Sequence, residues 1–211
     1  MRRGDSPVAE LTRDWFARPT VEVARDLVGC VLLVDAGTPD AVAARIVETE
    51  AYLGTSDPAS HAFRGPTPRS RVMFGPAAVL YVYFTYGMHS CANVVTEADG
   101  VAGAVLLRAA AVEDGEATVI ARRREGLPTA ALLRGPGNLC RGLAITRGDN
   151  GIDLLEPASR LHIAPRTGTP PIAVGTRIGL SQAADRPLRF SWLGDPAVSR
   201  PAPRAPDSDP S

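Results

Sequence analysis

At 211 residues the chain has room for one domain with a real core or at most two small ones, and 45% hydrophobic with 22% charged residues is the balance of an ordinary soluble globular protein. No apolar run reaches the roughly 20 residues that span a bilayer, and the opening "MRRGDSPVAELTRDWF" has arginines without the apolar stretch of a secretory signal. The formal net charge is zero, which argues against a generic polyanion binder; none of the 23 basic side chains is a lysine, which excludes a catalytic lysine, because arginine stays protonated and forms no Schiff base.

Residues 1–10 are expected to be a flexible terminus. "PTVEVARDLVG" (19–29) predicts a helix capped by Thr20 and stopped by Gly29. "CVLLVD" (30–35) predicts a strand, and the "AGTPD" turn leads into a second strand over 42–53. Residues 54–79 form a Gly/Pro/Ser-rich connection, too long for a simple link and so a candidate functional loop. "LYVYFTY" and "SCANVVT" predict a hairpin around Gly87, followed by a strand over 104–112, helices near 115–124 and 137–144, and strands near 160–165, 174–180 and 188–193. The end is Pro/Asp/Ser-rich, and 196–211 is expected to be a disordered tail. Runs of strands with helices around them predict a single α+β domain, over 11–195, with a mostly antiparallel sheet. Cys30, Cys91 and Cys140 are odd in number and widely spaced, matching neither a disulfide framework nor a CxxC metal pattern. A cytoplasmic chain with free thiols is expected.

Chemistry is concentrated in two stretches. In "RIVETEAY" strand alternation puts Ile46, Glu48, Glu50 and Tyr52 on one face and Val47, Thr49 and Ala51 on the other. That face is either a solvent-exposed edge or a carboxylate beside an aromatic wall, where desolvation raises its pKa toward general-base use. Periodicity does not choose between Glu48 and Glu50. The chain has four tyrosines, three of them in "LYVYFTY". Tyr81 and Tyr83 face one way, Val82 and Phe84 the other, and Tyr86 lies at the turn. Core packing accounts for Tyr81. Tyr52 and Tyr83 with a nearby carboxylate fit a nucleobase pocket, since a stacked base gains about 1–3 kcal/mol, and an outward Tyr86 fits a wedge filling the gap left by an extruded base. His61 either hydrogen-bonds a ligand edge or is a surface histidine. His61, His89 and His162 make a poor metal set, and no cofactor is expected.

Pro58–Thr96 and Gly126–Gly148 contain no Asp or Glu, and they hold Arg64, Arg69, Arg71, Arg134, Arg141 and Arg147. A neutral chain with such a face can still track phosphates. Ordinary solvated arginines are the other reading.

The segments "ARIVETEAYLG", "SHAFRGPTPRSRVMF", "LYVYFTYGMHSCANVV", "AVLLRAA", "GPGNLCRGLAI" and "RIGLSQAADRPLRF" follow one another in this order. Together, over roughly 11–195, they closely resemble the alkyladenine (3-methyladenine) DNA glycosylase family, as a bacterial member. The resemblance implies a curved, mostly antiparallel sheet flanked by helices, like the C-terminal domain of formyltransferases. It implies a monofunctional base-excision enzyme that flips alkylated or deaminated purines out of duplex DNA and hydrolyses the N-glycosidic bond, acting as a monomer near the bacterial nucleoid. By position, Glu50 corresponds to the base that activates water and Arg108 to the arginine near that water. Tyr52 and Tyr83 correspond to the stacking walls, His61 to a base-edge contact, and Asn93 to the discriminator against the guanine amino group. Tyr86 corresponds to the wedge, Met88 and His89 stand beside it at the groove, and Thr67 belongs to a DNA-touching loop. His89 occupies a position that is often aromatic in the family. Two other classes fit the residues alone: a sugar hydrolase using two carboxylates about 5–10 Å apart, and a catalytically silent nucleic-acid-binding module.

Overall fold

β2 (Val42–Tyr52) is the strand on which the other elements are assembled. The computed structural model describes residues 11–85 and 89–200. Two helices, α1 (Arg13–Phe16) and α2 (Thr20–Leu27), lead into β1 (Val31–Val34). After β2 come β3 (Leu80–Thr85), β4 (His89–Val95) and β5 (Ala104–Asp114), then α3 (Glu116–Arg123) and α4 (Pro136–Gly142). β6 (Leu161–Ala164), β7 (Ile172–Gly175) and β8 (Arg189–Trp192) complete the described strands. The sheet runs β3-β4-β5-β2-β1-β6, its pairs are antiparallel, and the β7–β8 hairpin adds itself to β2. This is the α+β architecture expected from the pattern of elements. Among the described residues no helix is long and apolar enough to cross a membrane.

One edge of β2 is shared by two partners: β1 covers Val42–Arg45 and β8 covers Glu48–Glu50. From Ile46 to Thr49 the register with β5 slips twice. Ile46 pairs with Ala110 and Glu48 with Ala109, which leaves Val47 as an extra residue; Thr49 then pairs with Leu107, which leaves Arg108 extra on β5. Such bulges bend a strand and re-aim its side chains. The first one overturns part of the expected alternation. Ile46 joins the main core together with Ala44 and Ala51, whereas Val47 packs with Ala109, Ala197 and Val198. Thr49 likewise turns inward, its hydroxyl donating to the Ala24 carbonyl at 2.7 Å. Glu48, Glu50 and Tyr52 therefore share a side without Ile46, and no part of it is a solvent-exposed edge, since both carboxylates are fully buried.

α2 exists because Val23, Ala24 and Leu27 form one apolar stripe, completely buried against the sheet. Its cap is Pro19 rather than Thr20. Thr20 is the first helical residue, and both its amide and its hydroxyl bond to Glu97 at 2.7 Å. Gly29 does end the segment, at φ +95°. The strand expected at 174–180 stops at Gly175, because the following residues turn away to place Arg177 against Asp57 and the Ile178 amide against Glu50.

The near end of the expected tail is ordered by burial. Ala197 and Val198 are buried, and the Ser199 amide donates to Glu48 at 2.7 Å. Residues 201–211 lie outside the described residues. A chain ended at Asp195 should lose about 3 kcal/mol, from lost apolar burial and an unmet charged hydrogen bond, and melt roughly 6–12 °C lower. A chain ended at Arg200 should melt with the full chain in the same calorimetric experiment.

Candidate active site

A cavity of about 320 Å³ opens where β2, β3, β4 and β5 meet the loop after β7. Its lining includes Tyr52, His61, Tyr83, Asn93 and Arg108, five of the residues singled out from the sequence. Strand alternation delivers Tyr81 and Tyr83 to this side, as expected, while Val82 enters the main core. Tyr81 is buried and does double duty, since its hydroxyl meets His61 Nδ1 at 3.0 Å. The His61 ring stands edge-on to Tyr83 with centroids 4.5 Å apart. Partial burial, and then the nearby Arg69 charge, push its imidazole down to about 4, so it is neutral at pH 7. Asn93 is fixed by its side-chain amide, which donates to the Tyr81 carbonyl at 3.0 Å.

Glu50 lies directly behind the lining and touches three of the cavity residues. It accepts from the Tyr52 hydroxyl at 3.0 Å and from the Ile178 amide at 2.8 Å, and Arg108 Nη1 stands 3.5 Å away. Burial raises its pKa above the ordinary 4.5; the Arg108 charge, the Ile178 amide and the Tyr52 hydroxyl oppose that rise without cancelling it. A carboxylate so placed is a stronger base than one in water, which suits it to accept a proton. Glu48 differs. One of its oxygens accepts from Arg189 at 2.8 Å and the other from the Ser199 amide at 2.7 Å, and neither of these donors lines the cavity. The structure thus separates two carboxylates that alternation alone left equivalent.

The remaining expected contacts lie outside this cluster. Thr67 is exposed in the long connection, its hydroxyl 2.9 Å from Ser70 Oγ. His89 is exposed at the start of β4, packed so closely on Gly137 that a methyl there would come within 2.9 Å of its ring. Tyr86 and Met88 lie outside the described residues.

The family model described as Methylpurine-DNA glycosylase (MPG) matches residues 14–196. The chain belongs to the methylpurine-DNA glycosylase family. A protein of Mycobacterium sp. (strain KMS), provisionally named 3-methyladenine DNA glycosylase, is 50% identical over 190 residues, covering 87% of this chain and 90% of that one. A Rhodopseudomonas palustris (strain BisB18) protein of the same provisional name is 47% identical over 193 residues, 91% of this chain and 92% of that one. One from Nocardia farcinica (strain IFM 10152) is 52% identical over 174 residues, 78% of this chain and 82% of that one. Membership makes this chain a DNA N-glycosylase, a hydrolase of N-glycosyl bonds with DNA as substrate.

Several parts of the glycosylase cavity went unread in the sequence. Ile178, Gly179 and Leu180 line it from an irregular loop, where no periodicity marks an inward-facing residue. Arg177 is buried, paired with Asp57 at 2.9 Å, and its guanidinium carbon stands 4.7 Å from the Tyr52 ring centroid. Arg69 stands 5.0 Å from the Tyr83 ring centroid. Both tyrosine walls are therefore backed by a cation, a contact worth about 0.5–2 kcal/mol.

Proposed function

We propose that this glycosylase excises alkylated or deaminated purines, of the 3-methyladenine, 7-methylguanine, hypoxanthine and ethenoadenine class, from duplex DNA with a water activated by Glu50, and leaves the abasic strand intact. The observation that supports this best is the position of Glu50, buried against the cavity and bonded to Tyr52 and Ile178, with Arg108 at 3.5 Å. A flipped base enters the cavity between Tyr52 and Tyr83, where flat rings stack on flat rings. His61 and Asn93 meet the base edge, Asn93 where a guanine amino group would have to fit. Tyr86 fills the gap in the duplex, with Met88, His89 and Thr67 at the groove or backbone.

The C1′–N bond breaks with its electron pair leaving on the purine, and the sugar acquires oxocarbenium character. Water adds to C1′ while its proton passes to the Glu50 carboxylate. The negative carboxylate also favours the cationic sugar, and the Arg108 charge opposes the burial that favours the protonated form of Glu50. Glu48 takes no part in the chemistry, because Arg189 at 2.8 Å already matches its charge away from the cavity. The enzyme works as a single chain, over a catalytic domain that begins near residue 11, and a nucleoid location follows from its substrate.

With no lysine in the chain, no ε-amine is available to attack C1′ and form the Schiff base that precedes strand cleavage. Duplexes carrying one hypoxanthine, ethenoadenine or methylated purine should release the base while the strand stays full length until alkali is added. Borohydride present during turnover should trap no protein–DNA adduct. An adduct in yield comparable to base release would overturn the strand-intact reading, and release of no base from any of the duplexes would leave only a binding module.

A further inference from the structure

Two carboxylates compete for one guanidinium. Arg108 Nε stands 3.6 Å from Glu48 and Arg108 Nη1 stands 3.5 Å from Glu50. Glu48 is fully buried, and left unmet it would attract the nearer cation strongly, because a buried charge without a partner is costly. Arg189 and the Ser199 amide satisfy it instead, at 2.8 and 2.7 Å. The Ser199 hydroxyl meanwhile accepts from Arg108 Nε at 3.2 Å. Arg189 also donates to the Arg200 carbonyl at 2.7 Å, and Ala197 and Val198 are buried against Val47 and Ala109. The segment is thus tied down on both sides of Ser199. It lies beyond residues 14–196, so the family match does not bear on it.

We propose that Ser199 is a positioning residue of the excision site: its amide occupies Glu48 and its hydroxyl holds Arg108, and together they keep the Arg108 guanidinium turned to Glu50. This rests on the reading of Glu50 as the base. Arginine has many rotamers, and an acceptor held at 3.2 Å from Nε favours the one that aims Nη1 at the second carboxylate. The bulge that makes Arg108 an extra residue on β5 brings it to this side of the strand, and the Ser199 hydroxyl then sets its direction.

Ser199→Ala keeps the amide bond to Glu48 and removes only the hydroxyl. Single-turnover release of hypoxanthine should slow about tenfold, the loss expected for one hydrogen bond to a charged group. The acid limb of the pH–rate profile should move to higher pH, because Glu50 then feels less of the Arg108 charge. Glu50 also faces Glu48 and Tyr52 on its own strand, Cys91 on β4 and the Ile178 amide, none of which the substitution touches. Ser199→Thr, which keeps a hydroxyl, should restore both rate and limb. An unchanged rate, a slower rate with an unmoved limb, or no rescue by Ser199→Thr would each overturn the proposal. Glu50→Gln measured alongside separates the two readings: if that variant excises at the wild-type rate, Glu50 is not the base, whatever Ser199 does.

Discussion

Glu50→Gln should lower the single-turnover rate of base release by about 10²–10⁴-fold, the contribution of a positioned general base, with lesion-duplex affinity nearly unchanged. The amide keeps the size of the side chain: its oxygen can still accept from the Ile178 amide, and its NH2 can donate to the Tyr52 hydroxyl oxygen, at the sites now 2.8 and 3.0 Å away. Wild-type rates should fall in acid with a midpoint above 4.5, since burial raises the Glu50 pKa and the base works only when ionised. That limb should vanish in the variant. Glu48→Gln should behave in the opposite way. Its charge is matched by Arg189 at 2.8 Å, so its loss leaves a buried cation short of a partner and lowers the melting temperature, with the chemical step much less affected. A glutamine at 50 that excises normally, with one at 48 that does not, would reverse the assignment of the two carboxylates.

Arg177→Met should be the most destabilising single change near the cavity. Arg177 and Asp57 are both buried, joined by paired hydrogen bonds, and Arg177 also donates to the Ala51 carbonyl at 3.0 Å. Removing one member of a buried pair costs about 3–5 kcal/mol, which in a chain of this size is a fall of roughly 6–20 °C in melting temperature. Adding Asp57→Leu should recover part of it, because no unpaired charge is then left inside. Burial alone would raise the Asp57 pKa, but the Arg177 hydrogen bonds outweigh it and hold the group below its ordinary 3.8. A depressed carboxylate stabilises the fold fully above its unfolded value and loses that stabilisation as pH falls through the folded one. The wild-type enzyme should therefore show an acid unfolding step below pH 3.8 that the double variant lacks.

The parts of the molecule legible in the sequence are those written in alternation. Tyr81 and Tyr83 opposite Val82 required only the period of two, and β3, β4 and β5 fell within a residue or two of their expected places. A bulge defeats this reading, since inserting Val47 changes no residue type and yet reverses which neighbours share its face. Loop geometry is also silent: the Ile178 amide reaches Glu50 across 128 positions of sequence, and a backbone group carries no signature. The end of the chain misled for a different reason. Composition marks 196–211 as polar, but two small apolar residues, Ala197 and Val198, suffice to dock its first turn.

Sharing one edge of β2 between β1 and β8 also sets an order of events during synthesis. Glu48 and its matching cation, Arg189, are 141 positions apart, and its second donor, Ser199, is 151 positions away. Until the last described strand has left the ribosome, the buried-to-be Glu48 on β2 lacks its nearest cation and has only Arg108, 3.6 Å away in the finished site, to draw on, so seating that half of the strand is less favourable. Contacts this distant in sequence also form slowly. The pocket should therefore close last, and a nascent chain that can already pair β1 with β2 should be unable to excise a base.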